Sequence, residues 1–234
     1  ASSNPAVATV TNSGVVTGVS AGSATFTFTL SATGCNSLPT SAVTVNALPV
    51  VSITGASSIC VGATTTLSPT SGGSWTSSDP AIATVTNAGV VTGIASGSVT
   101  FTFMNSITGC ISAPTGVVTV NPIPSVNITG LTSICIGAMS GVSPTTGGTW
   151  TSSNPSVATI TDAGIVTGVA AGTATFTYTN TSTGCMSAPT PAITVNPTPT
   201  VSITGPTSVC IGATTTLSPT NGIWMSSDPG VATV

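Results

Sequence analysis

Six cysteines are the residues of this chain whose type and spacing could do covalent chemistry. Cys35, Cys110 and Cys185 stand 75 positions apart, and so do Cys60, Cys135 and Cys210. Evenly spaced cysteines of this kind point to disulfides in an oxidising compartment. Zinc is the competing chemistry, but it calls for cysteines two to four apart or a nearby histidine. This chain has neither, and it has no lysine, arginine, histidine or glutamate.

The remaining acids are Asp79, Asp162 and Asp228, one per repeat at most, so no paired carboxylates form. Serine and threonine are abundant, but a nucleophile needs a base beside it. The expectation is therefore no enzyme, with no catalytic residue, no cofactor and no metal site. Calcium would want several clustered carboxylates. Nucleic acid as a partner is excluded for want of cations. Insertion in a membrane is not expected either, since no apolar run reaches about 18 residues.

The elements that must position the cysteines recur with them. Trp75 and Trp150 are 75 apart, and Trp224 follows after 74. Such a period means an array of similar units. The divisions expected are a partial repeat at 1–48, complete repeats at 49–122 and 123–197, and a partial repeat at 198–234. The chain then reads as a window on a longer array.

Within one repeat, short alternating runs at 51–54, 64–68, 74–76, 82–85, 90–94, 99–103 and 117–120 are separated by Gly, Pro, Asn and Asp. Seven short strands rich in Val, Ile, Thr and Phe predict an all-β antiparallel sandwich. Alternation places Trp75, Phe101 and Phe103 in one core and Trp150, Phe176 and Tyr178 in the next. Phe26 and Phe28 repeat the pair in the first segment, and Trp224 repeats the indole in the last. Leu67, Ile82, Val85, Val91 and Val118 are the expected neighbours.

On this scheme Cys60 falls in the turn after the first strand and Cys110 in the turn before the last. Those turns lie at opposite poles, roughly 20–30 Å apart, whereas a disulfide needs Cα atoms within about 7 Å. The first expectation is therefore a bond between successive repeats, Cys60–Cys185. Cys35, Cys110, Cys135 and Cys210 would then find partners outside this stretch. The alternative is pairing within a repeat, Cys60–Cys110 and Cys135–Cys185, which requires the Cys60 segment to run past the turn. Pro122 and Pro124, and Pro197 and Pro199, favour extended, stiff connections.

The run WTSSNPSVATITDAGIVTGVAAGTATFTYT from Trp150 resembles bacterial immunoglobulin-like domains of group 2. WTSSDPAIATVTNAGVVTGIASGSVTFTF from Trp75 and residues 2–29 carry the same pattern. The resemblance implies tandem Ig-like domains of about 75 residues and a place in stalks of adhesins and other cell-envelope proteins. It also implies an extracellular, cell-surface location and brings no catalytic residue. The SICVGA and TGC motifs depart from the plain pattern and resemble variants in large repetitive surface proteins of gliding and related bacteria.

The role expected is a structural segment of a surface stalk or filament. Its partners would be neighbouring repeats and, in a fibre, identical chains. A net charge of −3 with high apolar content favours such association. The alternatives are an adhesive module holding a surface glycan and, more remotely, ice binding by the Thr25, Thr27, Thr29 and Thr175, Thr177, Thr179 ladders.

Overall fold

A computed structural model describes all of residues 1–234. It divides into two compact units. Unit 1 comprises Ala1–Ser125 and Thr179–Ala188, and unit 2 comprises Val126–Tyr178 and Pro189–Val234. Every regular element is a β-strand.

Unit 1 holds one complete sandwich. One sheet has the order Ser52–Ile53, Thr64–Ser68, Val90–Gly93, Ala83–Val85. A second joins Gly97–Val99, Val118–Asn121 and Ser58–Cys60, and Phe101–Asn105 pairs with Gly73–Ser77. Between these layers lies a core of Ile59, Leu67, Trp75, Val91, Val99, Phe101, Phe103, Val118 and Val120. Trp75 meets Phe103 with ring centroids 5.2 Å apart and tilted 59°, a favoured aromatic geometry. Its indole N–H donates to the Pro69 carbonyl at 2.9 Å. Ile82 and Val85 lie at the margin of this core, half-buried.

The run at 99–103 does not form one uninterrupted strand. Val99 and its neighbours pair with Val118–Asn121, and beyond Thr100 the chain turns to Gly73–Ser77. On the other edge of Phe101–Asn105 there is no ordinary strand. There the N–H groups of Phe101 and Phe103 donate to the hydroxyls of Thr115 (3.1 Å) and Ser112 (3.0 Å). The carbonyls of the same two residues accept from the N–H groups of Thr115 and Ser112. Hydroxyls thus replace half of a ladder beside Pro114, which cannot donate. Both hydroxyl residues are buried. Thr115→Val keeps the shape but strands the Phe101 N–H, at a cost of about 1–3 kcal/mol. Chemical denaturation of the variant checks this, and an unchanged midpoint would mean that the hydroxyl is dispensable.

Residues 1–48 contribute two hairpin-like pairs, Ala8–Val10 with Val16–Gly18 and Gly22–Ala24 with Val43–Val45. Val7, Ala8, Ala24 and Phe26 form a small core there. Phe28 does not join it and is 63% exposed. In the complete repeat its counterpart Phe103 is covered by Trp75, and residues 1–48 hold no tryptophan to cover Phe28.

Unit 2 repeats the complete architecture. The order Asn127–Ile128, Met139–Ser143, Ile165–Gly168, Ala158–Ile160 makes one sheet. Ser133–Cys135, Ile193–Asn196 and Gly172–Ala174 make another, and Gly148–Ser152 pairs with the strand Phe176–Asn180. Trp150, Phe176, Tyr178, Ile193 and Val195 are buried together, with Trp150 and Tyr178 again 5.2 Å apart.

Residues 199–234 add the short pair Ser202–Ile203 and Leu217–Ser218. Trp224 is not a core residue. It stays half-exposed, although its N–H makes the same bond, to the Pro219 carbonyl at 3.0 Å. The offset that leads from Trp75 to Phe103 leads from Trp224 past Val234, so this segment carries no ring to cover it.

Candidate functional site

The expectation that Cys60 lies in a turn is corrected by the fold. Ser58–Cys60 is a strand, parallel to Val118–Asn121 in the register Ser58↔Thr119 and Cys60↔Asn121. Asn121 fastens it: the side-chain amide donates to the Ser58 hydroxyl at 2.7 Å and to the Ile59 carbonyl at 3.2 Å. Ile59 is buried in the core, which fixes the strand's facing and sets Cys60 at its end. The turn comes one residue later, where Gly62 takes φ 83°, a conformation that suits glycine.

Cys185 stands at the end of a tight hairpin. The Asn180 N–H donates to the Cys185 carbonyl at 2.9 Å, and the Gly184 N–H to the Asn180 carbonyl at 2.8 Å. The Asn180 side-chain oxygen accepts from the N–H groups of Ser182 and Thr183 and from the Ser182 hydroxyl. This is the local chemistry by which Asn closes a turn. The Cys185 N–H in turn donates to the Thr183 hydroxyl at 3.3 Å.

Cys60 and Cys185 are joined in a disulfide, with Cα atoms 5.7 Å apart across a sequence separation of 125. Both belong to unit 1, because Thr179–Ala188 is part of that unit. Cys185 is fully buried. The pairs Cys60–Cys110 and Cys135–Cys185 are not formed; Cys35, Cys110, Cys135 and Cys210 are free thiols.

The free thiols occupy copies of the same two seats. Cys110 ends a hairpin in which the Asn105 side chain accepts from the Ile107 and Thr108 N–H groups, and its own N–H donates to the Thr108 hydroxyl. Cys135 ends the strand Ser133–Cys135, which Asn196 holds through the Ser133 hydroxyl and the Ile134 carbonyl. Cys35 donates to the Thr33 hydroxyl in the manner of Cys110. Cys210 is followed, like Cys60, by a turn in which the Ala213 N–H donates to the cysteine carbonyl.

The sequence marks Pro122 and Pro124, and Pro197 and Pro199, as stiff connections and gives Asn121 and Asn196 before them no role. Each Asn is in fact the clamp for a cysteine strand. Asn105 and Asn180 were missed too; their signal was the recurring Asn five residues before each of Cys110 and Cys185.

The carboxylates are absorbed locally. Asp79 and Asp228 accept from the N–H groups of Ala81 and Gly230 within turns, and Asp162 accepts from the Trp150 N–H. No group of three or more Cys or Asp side chains gathers anywhere.

Comparison with known proteins agrees with this construction. Residues 1–37, 40–113 and 136–185 match the bacterial Ig-like domain (group 2). No curated protein matches the sequence. Among solved structures, a C-terminal 282-residue fragment of intimin, in complex with the intimin-binding domain of its translocated receptor, is 16% identical. There the alignment covers 64% of each chain at a TM-score of 0.39. Invasin, a bacterial integrin-binding protein, is 16% identical over 81% of this chain and 48% of its own, at a TM-score of 0.40. The S-layer protein SbsC is 18% identical over 87% of this chain and 36% of its own, at a TM-score of 0.28. The chain thus spans less than two thirds of the length of each of these three. The family match covers more than half of the chain, and with the sandwich architecture it makes this chain a member of the bacterial Ig-like domain family, group 2.

Proposed function

We propose that the chain is a non-catalytic, structural segment of a long extracellular surface stalk or filament built from tandem, disulfide-braced Ig-like domains. The observation that carries this reading is the Cys60–Cys185 bond, which ties residues more than one repeat period apart. A bond of that span carries load past every hydrogen-bonded strand between its ends. The absence of lysine and arginine leaves trypsin-like proteases no site, which suits an exposed setting.

Adhesion is the second reading. Intimin forms a complex with the intimin-binding domain of its translocated receptor and invasin binds integrin, and a surface glycan is the partner this reading gives the present chain. Against it, the tip of the cysteine hairpin changes from Ala32 to Ile107 to Ser182 along the array, so the repeats do not share one contact residue there. Of the threonine ladders considered for ice binding, Thr175, Thr177 and Thr179 are half-buried, as are Thr25 and Thr27, while Thr29 is exposed.

Antibody raised against the chain is expected to label intact, unpermeabilised cells along thin projections. Label that appears only after permeabilisation would overturn the surface role. Direct binding of the chain to immobilised glycans would move the reading from stalk to adhesin.

A further inference from the structure

Four Asn-x-Ser/Thr triplets stand in this chain, and that pattern is the acceptor signature for a sugar on the asparagine amide. Asn154-Pro155-Ser156 and Asn196-Pro197-Thr198 are disqualified by the central proline. Asn180-Thr181-Ser182 is engaged in closing the cysteine hairpin. The Asn180 side-chain oxygen accepts from the Ser182 and Thr183 N–H groups, and the Ser182 hydroxyl donates to it at 2.7 Å. The two side chains a transferase would read are there bound to each other. Asn127-Ile128-Thr129 remains.

This triplet is built differently. Asn127–Ile128 is the outer strand of its sheet, paired on one side only, with Asn127 opposite Ser143 and Ile128 opposite Val142. Side chains alternate across a strand. Ile128 packs against the core, so Asn127 and Thr129 share the outward face, and both are exposed. The Thr129 N–H donates to the Gly141 carbonyl at 2.8 Å, which anchors the backbone of the triplet. Neither the Asn127 amide nor the Thr129 hydroxyl makes a hydrogen bond within the chain.

The other repeats show what has changed. The counterparts of Asn127 are Ser52 and Ser202, and those of Thr129 are Thr54 and Thr204. The Thr54 hydroxyl donates to the Thr66 carbonyl at 3.1 Å and to the Thr66 hydroxyl at 3.0 Å. Thr204 meets Thr216 in the same way, hydroxyl to hydroxyl at 2.8 Å. Gly141 stands where Thr66 and Thr216 stand. A β-carbon on Gly141 would lie 2.7 Å from the Thr129 hydroxyl oxygen. The glycine therefore removes the partner hydroxyl and opens the space beside Thr129. Two departures from the repeat pattern, Asn127 and Gly141, thus act on one triplet.

We propose that Asn127 is a glycosylation site, carrying a sugar on its side-chain nitrogen, and that Gly141 keeps the Thr129 hydroxyl free for the transferase to read. The donor is a sugar held on a diphosphate. The Asn127 nitrogen attacks the anomeric carbon, the C–N bond forms, and the nitrogen gives up one proton. The bond from the anomeric carbon to the phosphate oxygen breaks, and the diphosphate leaves with the electron pair. The product suits this chain physically. A sugar adds hydration to a surface that has three carboxylates and no lysine or arginine. It also covers an open strand edge against pairing with another chain. The site goes beyond the stalk reading, and a chain that carries no sugar leaves that reading standing.

The test isolates the chain from its native cells and cuts it with pepsin, since trypsin has no site. Electron-transfer mass spectrometry, which leaves sugars on their side chains, then locates them. Peptides spanning Asn127 are expected to carry a sugar on that residue, and peptides spanning Asn180 none. Thr129→Ala should abolish the modification. Gly141→Thr restores the residue found at Thr66 and Thr216, so the variant keeps a side chain that the fold accepts. It should slow the labelling of newly made chain roughly two- to tenfold, the range that one hydrogen bond accounts for. Bare Asn127 in every peptide, equal modification of Asn180, sugars confined to serine and threonine, or labelling indifferent to Gly141→Thr would each overturn the proposal.

Discussion

Reduction of the Cys60–Cys185 bond is expected to lower the free energy of global unfolding by about 5 kcal/mol, the chain-entropy value for a loop of this length. Folded domains are stable by about 5–15 kcal/mol, so the bond carries a large share. The effect resides in the unfolded chain. A link between residues 125 apart removes most of the separations that the free chain would explore. The native hairpin does not depend on the bond, because Asn180 closes it through the N–H groups of Ser182 and Thr183. Cys60→Ser and Cys185→Ser should each reproduce the loss, and Cys110→Ser should not, since Cys110 is already free. Denaturant titration with and without reductant gives the measurement. A fall in midpoint at similar slope supports the account, and a midpoint indifferent to reductant would overturn it. Pulling the chain from its termini gives a second readout. The oxidised chain should withhold roughly 400–450 Å of extended length that reduction releases.

The periodic parts of this architecture were legible in the sequence because their cause is local. Alternation through Val99, Phe101 and Phe103 placed these side chains in the core, where they are buried. Asn87-Ala88-Gly89 marked a turn, and Gly89 does take φ 76° there. Ser58–Cys60 was illegible for two reasons. Three residues are too few to show a period, and the partner strand lies about sixty residues later in parallel register, a relation that no local pattern encodes. The hydroxyl ladder of Ser112 and Thr115 was hidden because serine and threonine occur everywhere in this chain. Only the fold shows which hydroxyls replace a backbone group. Phe28 and Trp224 carry the same pattern as Phe103 and Trp75, but burial also needs the covering element.

That distinction yields the second large effect. Trp75→Ala should destabilise its sandwich by about 3–5 kcal/mol. Truncation removes a buried indole that packs at 5.2 Å on Phe103 and satisfies the Pro69 carbonyl. The surroundings cannot easily collapse into the gap, since Gly73 already lies so close to Phe103 that even a methyl group there would overlap its ring. Trp75→Phe keeps much of the apolar contact and loses the N–H donor, so it should cost less, about 1–3 kcal/mol. Trp150→Ala should match Trp75→Ala, because its contacts with Tyr178 and the Pro144 carbonyl are the same. Trp224→Ala should cost less than about 1 kcal/mol, because the ring is half-exposed and outside any core. Unfolding of the three single variants, followed by tryptophan fluorescence, ranks them within one polypeptide. Equal costs at Trp75 and Trp224 would contradict the view that the covering strand, and not the local tryptophan motif, supplies the stability.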